Sequence, residues 1–232
     1  MDTHMRFRIT PGNIIKLILA LLVIYAVWQY VDLPGPAIIS LQEGDPGKSA
    51  LMRLRMSEAD DDKPLEYEYV PIDKISPHFV RAVLAVEDGG FYRHHGIDWR
   101  ALENAYKRNE RAGRVRFGGS TITMQLAKNL FLSNDRSYLR KVKEAVITFR
   151  LERYLSKKRI LELYLNIIEL GDRIFGVEAA SRHYFKKSAS QLSSGEAASL
   201  AAIIASPLKH SPTESSRFMG IRRGTIRRKT GM

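Results

Sequence analysis

Glu87 and Glu144 are carboxylates in places that an ordinary surface glutamate does not take. Glu87 continues the apolar face of Phe79, Val80, Val83 and Leu84, and Asp88-Gly89-Gly90 and the aromatics Phe91 and Tyr92 follow it. A carboxyl held against apolar surface has a raised pKa, which suits general acid/base work near neutral pH. The plainer alternative is an exposed glutamate at a helix end. Glu144 falls in a segment with two apolar stripes, Leu139, Val142, Val146 and Phe149 on one and Ile147, Leu151 and Leu155 beside it on the other. A helix apolar on two sides is expected to be buried, and Glu144 with it. The alternative is pairing with Arg140 at i−4 or Lys141 at i−3. Two such acids in one helical domain point to carbohydrate chemistry, in which paired carboxylates move protons at an anomeric centre.

Other residue types nearby suit an anionic ligand. Ser120, Thr121 and Gln125 follow the glycine turn Gly118-Gly119 at an expected helix start, where N–H groups and hydroxyls bind a phosphate or sugar, or simply cap the helix. Lys128, Arg136, Arg140 and Lys141 cluster between the two carboxylate-bearing segments' ends. Arginine suits bidentate phosphate contacts and lysine acts as a point charge; the alternative for each is a solvated surface charge. The adjacent pair His94-His95 lacks the spacing of a metal site.

Composition narrows the classes. The 232 residues contain no cysteine, so disulfide frameworks, thiol catalysis and cysteine-bearing metal centres are excluded. With 37 Lys and Arg against 25 Asp and Glu, the net charge is +12, which predicts an anionic partner. Arg217, Arg222, Arg223, Arg227, Arg228 and Lys229 make the last sixteen residues basic without one acid. They and the stretch Lys107 to Arg116 suit an anionic bilayer. Charge alone also allows a nucleic-acid binder.

The positioning elements are mostly helical. Ile14 to Val31 is apolar apart from Lys16, Gln29 and two tyrosines. Eighteen helical residues span roughly 27 Å, close to a bilayer core, and Arg6, Arg8 and Lys16 place the N-terminus in the cytoplasm. We expect a cytoplasmic N-terminus at 1–12, a transmembrane anchor at 13–31, a Pro/Gly-rich linker at 32–64 and a catalytic domain at 65–232; a cleaved signal or a buried helix are the alternatives at the N-terminus. Tyr67 to Ile72 reads as one short strand. Helices are expected after Ser76-Pro77, from Asp98 to Gly113, after Thr121, over Tyr138 to Leu155, over Lys157 to Leu170, and from the Ser193/Glu196 capping box to Ala205. The body is mainly α.

Glu87-Asp88-Gly89-Gly90-Phe91-Tyr92-Arg93-His94-His95-Gly96 resembles the E-D-x-x-F-x-x-H-x-G motif of the peptidoglycan glycosyltransferases. Gly118 to Gln125 with Lys128-Asn129 resembles their G-x-S-T-I-x-x-Q motif and its trailing K-N, Arg140 to Glu144 their R-K-x-x-E, and Lys158 to Asn166 their K-x-x-I-L-E-x-Y-L-N. The fifth motif, R-x-x-x-V-L, is met by Arg222 and Ile226, with Arg227 in an apolar place. The whole chain is similar to the monofunctional members. Ser206-x-x-Lys209 and Lys229-Thr230-Gly231 echo penicillin-binding transpeptidases, but they lie about twenty residues apart with no S-x-N between them, and motif strings without their context carry little weight.

The resemblance implies a lysozyme-like helical glycosyltransferase domain behind an N-terminal transmembrane helix, in the bacterial cytoplasmic membrane with the domain outside. The substrate implied is lipid II, a disaccharide-pentapeptide on polyprenyl pyrophosphate, joined to a growing glycan strand. Glu87 is then the general base and Glu144 assists departure of the pyrophosphate, directly or through a divalent cation such as Mg or Mn. Asp88, Phe91, His94, Ser120, Thr121, Gln125, Lys128, Asn129, Arg136, Arg140 and Lys141 are the implied substrate-binding set. Glu162 and Asn166 are expected to orient neighbours. Membrane lipids and cell-wall synthesis or division proteins are the implied partners, and nucleic acid is not. A lytic enzyme of the same fold and a non-catalytic cell-wall scaffold are the rival readings.

Overall fold

Hydroxyl and carboxylate side chains open most of the helices. The computed structural model describes residues 11–30, 35–61, 63–114, 118–132 and 137–232. Two units divide at residue 33, Met1–Leu33 and Pro34–Met232. The first contains α1 (Pro11–Tyr30). Its side chains are described over 12–25, and the aliphatic ones from Ile14 to Ile24 are 45–63% exposed. Among the described residues no helix is long and apolar enough to cross a membrane.

The second unit begins with α2 (Gly35–Ile39) and α3 (Ala50–Ser57), the latter capped by Ser49 Oγ accepting from Met52 N. The described residues of the expected linker at 32–64 lie in this second unit. Ile38, Leu41 and Met52 are core side chains, and Arg159 carries its Nε to the Leu41 carbonyl at 2.6 Å and an Nη to that of Gly44. Scattered apolar residues and a buried guanidinium that satisfies turn carbonyls hold a Pro/Gly-rich stretch that propensity alone leaves open.

Then come α4 (Pro77–Glu87), α5 (Trp99–Ala112), α6 (Ile122–Phe131), α7 (Tyr138–Tyr154) and α8 (Lys157–Ile167). Ser76, Asp98, Thr121, Ser137 and Ser156 cap them, each accepting a first-turn N–H. Such caps are worth about 1 kcal/mol each. α8 stops three residues before the expected Leu170. Ile168 turns extended and Glu169–Gly171 becomes β2, antiparallel to β3 (Ile174–Phe175), while β1 (Glu66–Tyr67) pairs parallel to β3. The sheet order is β1-β3-β2, and the strand expected over 67–72 is confined to Glu66–Tyr67.

The chain ends with α9 (Val177–Phe185), α10 (Ser194–Ile203) and α11 (Arg217–Thr230). α8 and α10 are the centre of the core: Ile160, Leu161, Leu163, Tyr164 and Leu165 on one, and Ala197, Ala198, Leu200 and Ala201 on the other, have no exposed surface. α6 packs on α7 and α8, and α4 packs on α10 and α11. The mainly helical body agrees with the sequence pattern. One stripe of α7 departs from it: Ile147 and Leu151 are buried, but Leu139, Val142 and Phe149 face outward.

Candidate active site

The end of α4 and the start of α6 are tied together by Asp88. This buried carboxylate is the C-cap of α4; its oxygens accept from His94 Nε2 at 3.0 Å, and Oδ2 accepts from Ile122 N at 3.0 Å. Phe91 is fully buried, edge-on to Tyr92 and His94, with Lys157 Nζ 4.4 Å above its ring. Thr121 Oγ1 donates to the Gly96 carbonyl and accepts from Met124 N. Gly96 sits at φ +94°, and a Cβ there would meet Thr148 Cγ2 at 2.7 Å, so the loop requires glycine. Asp88, Phe91, His94 and Thr121 thus build the loop that carries Glu87 to α6.

Glu87 itself is aimed at α6. Gln125 Nε2 donates to its Oε2 at 2.8 Å, and the Tyr164 hydroxyl donates to Gln125 Oε1 at 3.0 Å. Burial raises the Glu87 pKa; the bond from Gln125 and the charges of Arg222 and Lys229 oppose the rise, and Asp88 adds to it. Burial, with Glu87 and Asp88 near it, also keeps the Tyr164 phenol well above its ordinary value, so it remains a donor and fixes which end of the Gln125 amide faces Glu87.

Glu144 lies on α7 at 3% exposure. Arg140 Nη1 donates to its Oε2 at 2.7 Å and Lys141 Nζ to its Oε1. Both sequence alternatives hold at once: the glutamate is buried, and it is paired at i−4 and i−3. With Ser120, Met124, Gln125 and Lys128 these three residues line a cleft of about 260 Å³. The Lys128 ammonium has no hydrogen-bond or ion-pair partner among the described residues. Burial lowers its pKa, Glu144 opposes that, and Arg140 and Lys141 add to it.

Two further clefts adjoin this one. Gln125 and Lys128 also line a hollow of about 180 Å³ with Asn129, Tyr164, Glu169 and Leu51. Arg55 holds Glu169 there through Nε at 2.7 Å and Nη2 at 3.2 Å. Ser120, Met124 and Lys141 also line an apolar cleft of about 360 Å³ with Ile97, Trp99, Leu102 and Ala145. Arg136 lies outside the described residues. Glu162 and Asn166 orient neighbours: Glu162 accepts from Tyr69 and Ile72 N at 2.7 Å each, and Asn166 bonds both main-chain groups of Val70 at 2.9 Å.

The divalent ion expected near Glu144 does not fit this donor set, which is one carboxylate with a cation on each oxygen. Asp88, His94 and Asp98 each offer an atom within 4.8 Å of the others. Those groups already hold the fold, Asp98 Oδ1 through Ala101 N.

Sequence reading passed over Tyr164, Arg55 and Glu169. The first stood inside a quoted motif without a role, and the ion pair joins residues 114 positions apart, beyond any local pattern.

The geometry agrees with what the chain is similar to. A family model described as Transglycosylase matches residues 55–230. A biosynthetic peptidoglycan transglycosylase of Herminiimonas arsenicoxydans is 47% identical over 190 residues, 81% of this chain and 82% of that one. One of Bordetella pertussis is 41% identical over 233 residues, 97% and 94% of the two chains. One of Methylobacillus flagellatus is 47% identical over 194 residues, 82% of each. A match over this much of the chain, with Glu87 and Glu144 both set beside α6, makes it a member of the transglycosylase family.

Proposed function

We propose that this protein polymerises lipid II into glycan strands, forming β-1,4 bonds and releasing polyprenyl pyrophosphate. One observation carries the reading: the basic cleft at Lys128, Arg140 and Lys141 shares Ser120, Met124 and Lys141 with the apolar cleft at Trp99 and Leu102. A ligand with a diphosphate at one end and a hydrocarbon chain at the other fits that pair. The helical body is on this reading lysozyme-like.

Glu87 is the general base. Its desolvated carboxylate takes the proton of the acceptor GlcNAc 4-hydroxyl as that oxygen attacks the donor anomeric carbon. The bond from that carbon to the pyrophosphate oxygen breaks, and its electrons leave with the phosphate. One displacement inverts an α-linked donor to a β product. Lys128, Arg140 and Lys141 stabilise the departing charge, which is greater in the transition state than in the bound donor. Glu144 acts through Arg140 and Lys141, holding both cations at the cleft wall. Ser120 lies on that wall, and Asn129 faces the hollow beyond Lys128.

On this reading the protein works at the outer face of the cytoplasmic membrane, held there by the apolar sequence segment 13–31 with the N-terminus inside. The apolar run Ile14 to Val31 and the basic residues before it support this. Tyr138, 96% exposed, and the outward Leu139 and Val142 suit contact with membrane lipid.

The test is strand synthesis from purified lipid II in detergent. Wild type is expected to make polymer, and Glu87→Gln at least about 10²-fold less, within the range for removing a general base. No polymer from folded wild type overturns the polymerase reading. Equal polymer from both overturns Glu87 as the base.

A further inference from the structure

A fourth cleft, of about 240 Å³, opens between the end of α4 and α11 and is lined by Val86, Arg222, Thr225, Ile226 and Lys229. The reaction above leaves it unused. Arg222 Nε donates to the Ala202 carbonyl at 2.6 Å and Lys229 Nζ to the Ala85 carbonyl at 3.0 Å. Both acceptors are main-chain oxygens in the last turns of α10 and α4, so hydrogen bonding orients the two cations without neutralising them. Neither forms an ion pair among the described residues. The acid on which both act is Glu87, which is turned toward Gln125. A cleft with two oriented cations and the aliphatic walls of Val86 and Ile226 is complementary to a carboxylate on a short chain of small apolar groups.

The neighbour of this cleft decides which carboxylate. Val86 directly precedes Glu87, and on the lipid II reading Glu87 faces the acceptor disaccharide, the sugar unit that bears the pentapeptide. We propose that the cleft between α4 and α11 binds a carboxylate of the acceptor's stem peptide, with Arg222 and Lys229 as its ligands. The proposal rests on the lipid II reading. It makes α11 a specificity element, selecting acceptors whose stem ends in a free acid. A membrane-lipid phosphate is the other anion that two such cations take.

The experiment compares two forms of lipid II, one with the stem C-terminus as the acid and one as the amide, in wild type, Lys229→Gln and Arg222→Gln. Wild type is expected to show a KM about three- to tenfold lower for the acid, the range for one or two partly exposed charge pairs. Each variant raises the KM of the acid toward that of the amide, while any effect passed through Glu87 falls equally on the two substrates. Equal KM values for acid and amide in wild type overturn the proposal. So does an equal loss on both substrates, which marks Arg222 and Lys229 as acting only on Glu87 or on folding. Lys229→Gln keeps the test alive if Arg222→Gln misfolds, because Lys229 is exposed. Binding to phosphatidylglycerol vesicles against neutral ones separates the sources: a variant that loses vesicle binding and keeps its preference for the acid assigns the cleft to lipid phosphate, against the proposal. Ligand-detected NMR with the soluble disaccharide-pentapeptide, acid and amide, reads the same preference without turnover. A wild type that makes no polymer yet binds the acid more tightly removes the polymerase reading and keeps the site.

Discussion

Glu87 and Glu144 flank the same helix, α6, yet their oxygens meet opposite company. Glu87 receives a neutral amide donor, and no cation touches it within hydrogen-bonding distance among the described residues. Glu144 receives a guanidinium on one oxygen and an ammonium on the other. A buried carboxylate with a cation bonded to each oxygen faces its charge partners rather than a substrate proton. A buried carboxylate with only an amide on one oxygen keeps an oxygen and a raised proton affinity. The reason for the difference is chain distance. Arg140 and Lys141 reach Glu144 because they sit one turn earlier on α7. The last turn of α4 contains no basic residue, and what reaches Glu87 comes from α6 and, through Gln125, from α8. One carboxylate sits in an ion-paired setting, the other in a neutral hydrogen-bonded one.

The sharpest way to test that division is to remove the buried cation that shares the cleft with Glu144. Lys128→Met should lower kcat/KM about 10²-fold, chiefly through kcat, since one preorganised charge at a developing oxyanion is worth roughly that much. Steady-state polymerisation of lipid II measures it. A loss below about threefold would place the leaving diphosphate elsewhere and dissolve the contrast between the two clefts.

Tyr164→Phe probes the Glu87 side more gently. Without the phenol, Gln125 Oε1 loses its donor and the amide is free to turn its oxygen toward Glu87. The carboxylate then loses the hydrogen bond that opposes its raised pKa. Activity at neutral pH should fall about tenfold, and the acidic limb of the kcat/KM profile should move to higher pH. Leaving a buried acceptor unpaired should also cost about 1–3 kcal/mol of stability. A variant with the wild-type pH profile would show that Tyr164 merely packs.

These two residues also mark how much the sequence disclosed. Caps, helix periods and the i−4, i−3 partners of Glu144 are local, and they were legible: Ser76, Asp98, Thr121 and Ser156 stand where helices begin. What joins distant segments was not. The bonds Tyr164 to Gln125 and Arg55 to Glu169 cross 39 and 114 positions, and no periodicity encodes them. The stretch 35–61 looked like a linker because proline and glycine dominate its local signal, while its order depends on Arg159 reaching back to Leu41 and Gly44. The outward stripe of α7 misled in the other direction: Leu139 and Val142 read as core, but both are exposed.

The smallest effect tests the contrast through folding instead of rate. Burial raises Glu87 above its ordinary 4.5, so the folded chain holds this proton more tightly than the unfolded chain. Below pH 4.5 both states keep it, and the contribution to stability is fully present. As pH climbs from there toward the folded pKa, the unfolded chain releases the proton first, and stability is lost at up to about 1.4 kcal/mol per pH unit; above the folded pKa the loss is complete and constant. Glu87→Gln has no proton to release and still offers an oxygen to Gln125. Its melting temperature should equal that of wild type near pH 4 and exceed it at pH 7–8 by about 2–4 °C, the shift that about 1 kcal/mol gives a domain of this size. Glu144→Gln should melt below wild type, because Arg140 and Lys141 lose the partner that balances them. Melting curves for the two variants across pH 4–8 would show one line rising above wild type and one falling below it. Two lines falling together would mean that Glu87 is also a compensated charge, and would remove the ground for treating it as the base.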